Sequence, residues 1–435
     1  MLYSKDSLLS KYKSLTIDEL PTPSFVINYP QFANNCNKMI SSIKNLQSLN
    51  ICPVAFRPHV KTHKTVEGTL LQLGVANGKD QKQKGFTDRV LISTLAEGLG
   101  LVSNETANKY INDICYTLPI TFNDSFFMET LNSLRSKKKN HFHIFIDHVN
   151  QLEKLIEYAS SAADGIDSKF SVFIKIDVGT HRAGIPPDSS SYHEILNKLY
   201  TEKCSKYIDL YGFYAHAGHS YHVDTLAKAH SVLIDEIEQV IKAAENVKNN
   251  NKPLVLSVGA TPTINSLYKD DSIVKLLTKI KELDCVLELH CGNYCMLDLQ
   301  QVSTGCVKLN DLAGYVLGTV VSSYGEQRNE VLTNTGVLSL TRETSDKFPG
   351  FGLGFDSSVV DYENNTDSWT VDRLSQEHGI LKKTKGNTNK ALLEIGTRVK
   401  IFPQHSCITM NQFPYYFVVD ENNRVVDIWE PLKGW

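Results

Sequence analysis

Eight short apolar segments that alternate with helical stretches constrain the fold of this chain more than any other feature. They are rich in Val, Ile, Leu or Phe and recur roughly every 25 to 45 residues, which leaves room for a crossover helix after each one. Several are almost continuously hydrophobic, as parallel strands covered on both faces are. The segments are 54–60, 89–94, 113–118, 142–147, 170–177, 208–216, 254–258 and 286–290. They predict a (β/α)8 barrel, and a doubly wound open sheet is the competing architecture.

The remaining pattern predicts a second domain. Amphipathic helices are predicted at 150–158 and 226–244, and Pro30 is placed to open a helix over 32–46. Beyond residue 300 we expect strands at 313–324, 331–340, 394–403 and 415–419, whereas the polar, Gly-rich segment 341–390 is expected to be loop. We therefore predict a barrel domain at 25–300 and a mostly β domain made of 1–24 and 301–435.

Composition narrows the class of protein. The formal net charge of the 435 residues is -3, without the basic excess typical of proteins that bind nucleic acid or membrane surfaces. No window reaches about 18 apolar residues, so no membrane-spanning helix is predicted. The nine cysteines are odd in number and irregularly spaced, which favours reduced thiols in the cytoplasm over a disulfide framework.

The octapeptide 57–64 holds the first candidate for catalysis. It follows the first predicted strand and contains Lys61 and His63. Because the loops at the carboxyl ends of barrel strands carry the chemistry, Lys61 is a candidate Schiff-base lysine. The alternative is a solvated basic turn.

Two later loops suit a phosphate group. Segments 259–263 and 290–294 follow the seventh and eighth strands, where barrels frequently bind phosphate, and they combine Gly with Thr or Asn. The alternative is that the glycines only serve tight turns. Tyr214 and His216 share one face of the sixth strand and Tyr221 follows them, so either tyrosine could contact a planar cofactor or be a core residue.

His405 and Cys407 form a candidate metal pair. They lie two positions apart and face the same way if the segment is extended. Imidazole and thiolate ligands favour Zn²⁺ over Mg²⁺ or Ca²⁺. Two protein ligands would leave open coordination positions, as in a catalytic site, although such a pair also occurs by chance.

Six motifs in order resemble the eukaryotic-type D-serine dehydratases, which are zinc- and pyridoxal phosphate-dependent enzymes with an alanine-racemase-like barrel. The resemblance covers essentially the whole chain. The motifs are Pro-His-Val-Lys-Thr-His-Lys (58–64), Asp-Val-Gly-Thr-His-Arg-Ala-Gly (177–184), His-Ala-Gly-His-Ser-Tyr (216–221), Gly-Ala-Thr-Pro-Thr (259–263), Glu-Leu-His-Cys-Gly-Asn-Tyr (288–294) and Pro-Gln-His-Ser-Cys (403–407).

The resemblance implies a homodimeric lyase of fold type III that converts D-serine to pyruvate and ammonia, with D-threonine as a second candidate substrate. Lys61 matches the lysine that binds pyridoxal phosphate and takes the α-proton. The other site residues follow in the same way: cofactor-contacting Tyr214 and Tyr221, phosphate-side Thr261, Gly292 and Asn293, and zinc ligands His405 and Cys407.

Several points stay open at this stage. Either Tyr214 or Arg182 is a candidate for the contact with the pyridine nitrogen, and neither His63 nor His219 has an assigned role. A D-threonine aldolase is the nearest rival, but that family has an aspartate where this chain has Cys407. A racemase would need a second acid/base group and no metal, and non-catalytic pyridoxal phosphate-binding proteins lack the C-terminal β domain.

Overall fold

The computed structural model describes residues 4–75, 85–138, 141–161, 169–247, 252–389 and 391–435. The chain divides into two compact units. The barrel unit comprises Lys38–Ser220, Leu226–Gly292 and Leu432–Trp435, and the β unit comprises Met1–Asn37, Tyr221–Thr225 and Asn293–Pro431. The predicted domain boundaries, 25–300 against 1–24 and 301–435, stay a prediction.

The barrel unit contains a strand in each of the eight predicted segments, and all neighbouring strands are parallel. Their order around the sheet is β2-β9-β8-β7-β6-β5-β4-β3. A parallel bridge between His59 and Leu91 links the two ends of the sheet. The strands are β2 Val54–Pro58, β3 Arg89–Ile92, β4 Asp113–Pro119, β5 Phe142–Ile146, β6 Phe170–Ile176, β7 Ile208–Ala215, β8 Val255–Val258 and β9 Val286–Cys291. The predicted (β/α)8 barrel is confirmed, and the open doubly wound sheet is excluded.

Helices lie between the barrel strands, and their sequences explain their positions. Thr65, Thr94 and Ser189 each cap a helix by accepting a backbone N–H with the side-chain oxygen. The predicted stripe at 226–244 becomes a 20-residue helix that buries Leu233, Ile237 and Val240. The helices from the start of the chain to β9 are α1 Lys5–Tyr12, α2 Tyr29–Gln47, α3 Val66–Gln72, α4 Leu95–Ser103, α5 Glu105–Tyr110, α6 Ser125–Lys138, α7 Val149–Ser160, α8 Ser190–Leu199, α9 Glu202–Ser205, α10 Leu226–Glu245, α11 Thr261–Asn265 and α12 Asp271–Glu282.

The β unit is built on a nine-stranded sheet in the order β11-β14-β13-β12-β15-β10-β1-β16-β17. Its pairs are antiparallel except β1 with β16. The strands are β1 Ser24–Asn28, β10 Gly314–Tyr324, β11 Glu330–Thr333, β12 Gly352–Asp356, β13 Trp369–Leu374, β14 Gly379–Lys383, β15 Arg398–Pro403, β16 Tyr416–Val419 and β17 Val425–Trp429. The β unit also contains α1, the start of α2 and three short helices from the later part of the chain: α13 Leu299–Ser303, α14 Gly325–Arg328 and α15 Ser406–Met410.

Parts of the β-unit prediction were wrong. The segment 341–390 is not all loop, because it contributes β12, β13 and β14; Lys390 at its end lies outside the described residues. The strand expected at 331–340 ends at Thr333, and the following Ser339 and Leu340 amides turn back onto the Gly336 carbonyl. The segment after Pro403 is not extended, because α15 begins at Ser406.

Each unit has its own hydrophobic core. In the β unit one buried cluster includes Val26, Leu317, Phe402 and Phe417. In the barrel, Leu91, Cys115, Phe145, Phe173, Tyr214 and Val255 pack together. Among the described helices, none combines the length and the apolar character that crossing a membrane requires.

Candidate active site

The octapeptide 57–64 is not a solvated turn. Arg57, Thr62 and His63 are at most 1% exposed, and His59 is 8% exposed. Lys61 is half-buried and lies in the turn after β2, which closes through a hydrogen bond from the Lys64 amide to the Val60 carbonyl. The sequence therefore places a lysine at the carboxyl end of a barrel strand.

The other lysine and histidine of this turn have structural contacts. Lys64 Nζ lies 2.9 Å from Glu97 Oε1 in an ion pair. His63 Nδ1 accepts the Thr65 amide at 3.0 Å, so Nε2 carries the proton and donates to Gln72 Oε1 at 3.1 Å. Burial lowers the pKa of His63 to about 4, so the ring is neutral. Of the two lysines in this turn, Lys64 is in an ion pair, whereas Lys61 has no hydrogen bond or ion pair with any residue that the structure describes.

Three buried histidines are neutral and are close enough to Lys61 for its charge to affect their pKa values. Burial lowers the pKa of His59, His216 and His290, and the Lys61 ammonium lowers each of them further. His216 Nδ1 donates to the Gly259 carbonyl at 2.8 Å, which fixes the tautomer of that ring. The end of the barrel that carries Lys61 is therefore lined with imidazoles that do not compete with it for protons at neutral pH.

Tyr214 lies between two other rings. It stacks on His290 with ring centroids 4.2 Å apart and planes at 8°, and Phe145 lies 4.3 Å from it. The side chain is 4% exposed, and burial raises the pKa of its phenol well above its usual value. Because protein rings lie on its faces, a contact with a cofactor would have to come through its edge or its hydroxyl.

Close packing against neighbouring protein atoms requires the glycines of the loops after β8 and β9. A Cβ at Gly259 would lie 2.1 Å from the His290 carbonyl oxygen, and Gly259 has φ +142°, so only glycine fits there. A Cβ at Gly292 would lie 3.0 Å from His59 Cβ. Thr261 is 1% exposed, and its Oγ1 has no hydrogen-bond partner within the described part of the chain. A buried hydroxyl without a partner is available to hydrogen-bond a ligand.

Two buried ionisable residues of the barrel escaped the sequence analysis. Lys175 on β6 is 7% exposed, and burial lowers its pKa to about 8. Glu236 on α10 accepts the amides of Ala217 and Gly259 at 2.9 and 3.1 Å, and so ties the loops after β7 and β8 to one carboxyl group. A strand pattern alone could have flagged Lys175, since it interrupts an apolar run; nothing in the helical pattern distinguishes Glu236.

The predicted metal ligands and Asn293 belong to the β unit. His405 is the residue before α15 and Cys407 is the second residue of that helix; both are half-buried. Asp298 Oδ2 accepts the Ser406 amide at 2.9 Å and Asn293 Nδ2 at 2.5 Å. Burial raises the pKa of Asp298, although the nearby His405 opposes that shift. Asp298, which sequence reasoning missed, thus links the loop of Asn293 to the start of α15.

The predicted pairing of His405 and Cys407 rested on an extended segment, and that basis is wrong. Instead, a helical turn carries the pair. Within the described ranges, no group of three or more His, Cys, Asp or Glu side chains is arranged to hold a metal ion. Tyr221 also belongs to the β unit, where it is half-buried in the turn Gly218–His222.

Comparisons with known proteins agree with this fold. Residues 79–275 match the family described as "Alanine racemase, N-terminal domain", and residues 313–419 match "Putative serine dehydratase domain". D-Serine dehydratase of Saccharomyces cerevisiae is 43% identical over 98% of this chain and 99% of the relative. D-Serine dehydratase of Schizosaccharomyces pombe is 39% identical over 99% of this chain and 96% of the relative.

Among solved structures, D-threo-3-hydroxyaspartate dehydratase from Delftia sp. HT23 superposes with a TM-score of 0.79 at 25% identity, covering 97% of this chain and 100% of that one. Two further structures of that enzyme carry alanine at a histidine and at a cysteine two positions later, and the cysteine variant is in a metal-free form. The fold is the alanine-racemase-like fold of type III pyridoxal phosphate enzymes. Because two yeast D-serine dehydratases are 43% and 39% identical to it over almost its whole length, the chain belongs to the D-serine dehydratase family.

Proposed function

We propose that this protein is a lyase that removes water from D-serine and yields pyruvate and ammonia, with pyridoxal phosphate and zinc as cofactors. The observation that carries the proposal is that D-serine dehydratases align with almost the whole chain at 43% and 39% identity. D-Threonine is the second proposed substrate, since it has the same β-hydroxyl group. The preference for the D enantiomer rests on the family.

The residues of the barrel unit fit pyridoxal phosphate. Thr261 offers a buried hydroxyl that has no partner among the described residues, and Gly292 is proposed as a phosphate-side contact. When bound, the cofactor supplies an electron sink that weakens the Cα–H bond of an amino acid joined to it. We propose that Lys61 holds the cofactor through its amine, and that Tyr214, Tyr221 and Asn293 are further cofactor-binding residues.

The chain's own groups would then move the proton. With the cofactor bound, Lys61 Nζ would take the α-proton as the general base, because it lies at the carboxyl end of the first barrel strand. The buried neutral imidazoles of His59, His216 and His290 do not compete for that proton. Loss of the β-hydroxyl as water, followed by hydrolysis, releases ammonia and leaves pyruvate.

His405 and Cys407 supply a nitrogen and a sulfur donor that suit Zn²⁺. Their His-x-Cys spacing matches that of the residues replaced in the Delftia variants. Zinc there would supply a Lewis acid, which hydroxide needs because it is a poor leaving group. The remaining coordination positions would go to water or to the substrate.

Three further properties are part of the proposal. A homodimer is expected from the family resemblance, and light scattering of the purified protein tests it. A cytoplasmic location is supported by the nine cysteines, all of which are described and outside disulfide bonds. The division into a domain at 25–300 and a domain of 1–24 with 301–435 can be tested by limited proteolysis.

Lys61 is tested by two variants. Lys61→Ala removes the amine and Lys61→Arg keeps the charge without a Schiff-base nucleophile. We expect both purified variants to lack the visible absorbance of lysine-bound pyridoxal phosphate and to lose at least about a thousandfold in pyruvate release, since nucleophile and base are lost together. If Lys61→Ala keeps the absorbance and the activity, the cofactor assignment is wrong.

The metal site is tested by Cys407→Ser, with Cys306→Ser as the matched control because Cys306 is also half-buried and is likewise outside any disulfide. Elemental analysis should find zinc reduced in the first variant and unchanged in the second, since serine is a poorer zinc ligand than cysteine. Undiminished zinc and turnover in Cys407→Ser would remove the zinc proposal.

A further inference from the structure

His290 stands at the end of a chain of buried hydrogen bonds inside the barrel. Arg57 Nε and Nη2 donate to Glu288 Oε1 and Oε2 at 2.8 and 3.0 Å. Ser257 Oγ lies 2.8 Å from Glu288 Oε1 and 3.0 Å from His290 Nδ1. All four side chains are at most 2% exposed, so these hydrogen bonds are shielded from bulk solvent.

The proton positions along the chain follow from an inventory of donors. Burial acts to raise the pKa of Glu288, but the guanidinium groups of Arg57 and Arg89 outweigh it and lower that pKa to about 2. Glu288 is therefore a carboxylate and accepts only. The single hydroxyl proton of Ser257 goes to Glu288, so Ser257 Oγ must accept from His290. His290 thus carries its proton on Nδ1 and a lone pair on Nε2.

The lone pair of His290 Nε2 has no donor in the described part of the chain. The ring is held against Tyr214 by stacking, so it cannot turn to find another partner without breaking that contact and the bond to Ser257. Burial lowers the pKa of His290 to about 3, and the cations of Lys61 and Lys175 contribute to this shift without donating to Nε2. A buried acceptor without a donor is energetically costly, and a ligand with a proton to donate would remove that cost.

The chemistry of pyridoxal phosphate selects the donor. Its phosphate and phenolate oxygens accept hydrogen bonds, whereas its ring nitrogen donates when it is protonated. Resting on the proposed function above, we propose that His290 Nε2 accepts a hydrogen bond from the protonated pyridine nitrogen, and that Arg57, Glu288 and Ser257 position His290 in the tautomer that makes this possible.

This proposal replaces the two earlier candidates for that contact. Arg182 is exposed, and a guanidinium has only donors, so it would favour an unprotonated ring nitrogen. Tyr214 instead supports the His290 ring from one side. A protonated ring withdraws electrons more strongly, so the buried chain from Arg57 would set how easily the substrate loses its α-proton.

The tautomer is tested first in cofactor-free protein, independently of activity. Nitrogen-15 NMR of labelled histidine, with the His290 signals identified by their absence in His290→Gln, should show a protonated Nδ1 and an unprotonated Nε2. Ser257→Ala should shift the ring towards a mixture of tautomers, because the acceptor for the Nδ1 proton is lost. A proton on Nε2 in the wild-type protein would overturn the proposal.

The contact itself is tested with two probes: pyridoxal phosphate and its 1-deaza analogue, in which carbon replaces the ring nitrogen. Cofactor-free wild-type protein should bind pyridoxal phosphate at least about tenfold more tightly than the analogue, as a hydrogen bond to a charged group implies. His290→Gln should reduce this affinity ratio, because an amide oxygen is a weaker hydrogen-bond acceptor than an imidazole nitrogen. Thr261→Ala should weaken the binding of both probes to the same extent.

Equal affinity of wild-type protein for the two probes would overturn the role of His290 and leave the proposed function intact. Failure to bind either probe would instead contradict the proposed function. If His290→Gln does not fold, the tautomer change in Ser257→Ala and the wild-type affinity ratio still decide the question.

Discussion

Glu236 shows how one buried side chain can organise a site without belonging to a sequence motif. Its Oε1 accepts the backbone amides of Ala217 and Gly259, which begin the loops after β7 and β8. Its Oε2 is buried with no partner among the described residues. The carboxyl group therefore positions two loops that carry proposed cofactor contacts.

The same burial makes Glu236 a source of pH dependence. Desolvation raises its pKa from 4.5 to about 7, although the two amide hydrogen bonds oppose the shift. Between these values the unfolded chain has lost the proton and the folded chain keeps it, so stability falls as pH rises from about 4.5 to about 7. A difference of one pKa unit corresponds to about 1.4 kcal/mol, so the free energy of unfolding falls by about 3 kcal/mol over this pH range.

We predict that Glu236→Gln abolishes this loss, because the amide oxygen still accepts both N–H groups and cannot ionise. Urea unfolding at pH 5 and pH 8 should show a smaller difference for the variant than for the wild type. Glu238→Gln is the matched control, since Glu238 is exposed on the same helix. Parallel pH profiles for Glu236→Gln and the wild type would contradict the assignment.

At the same scale, sequence reasoning found some residues and missed others for a clear reason. Lys61 and Thr261 could be proposed because the loop after a barrel strand is a known position for chemistry. Asp298 and the tautomer of His290 could not, because each depends on hydrogen bonds between residues that are distant in the chain or on adjacent strands. The functional roles of these residues remain predictions.

At the scale of elements, β7 contains a position where the close packing of neighbouring strands allows only glycine. The pairing of β6 with β7 shifts register between Val172 and Phe173, which face Leu210 and Gly212. A Cβ at Gly212 would lie 1.9 Å from the carbonyl oxygen of Val255 on β8. Neither backbone can move without breaking the barrel's hydrogen bonds.

We predict that Gly212→Ala destabilises the protein by about 3 kcal/mol or more, because the added methyl group must displace backbone rather than a flexible side chain. Gly386→Ala is the control, since nothing lies within 4 Å of a Cβ built there. Thermal unfolding should show a clear decrease for the first variant and almost none for the second. Equal melting temperatures would show that β7 and β8 are not packed as described.

The predictability of elements differed between the two units. The eight barrel strands have nearly continuous apolar runs, and each prediction was confirmed within a few residues. In the β unit, β12 contains two glycines in Gly352–Asp356, and β13 contains Asp372 and Arg373 in Trp369–Leu374. Glycine and charged residues weaken the strand pattern, and only the pairing with β15 and β14 reveals these segments as strands.

At the scale of the whole molecule, the order of the β-unit sheet could not be read from the sequence. The early strand β1 lies between β10 and β16, which come almost 300 and 400 residues later. Pairing over such distances depends on tertiary packing rather than on local patterns. The residue pattern predicted a mostly β domain, and the structure supplied the order of its strands.

The most direct test of the proposed activity is product analysis with purified protein supplied with pyridoxal phosphate and Zn²⁺. D-Serine should release pyruvate and ammonia in equal amounts, L-serine should release far less, and D-threonine should give 2-oxobutyrate. A chelator should suppress all of these products. No pyruvate from D-serine, or glycine with acetaldehyde from D-threonine, would contradict the assignment as a D-serine dehydratase.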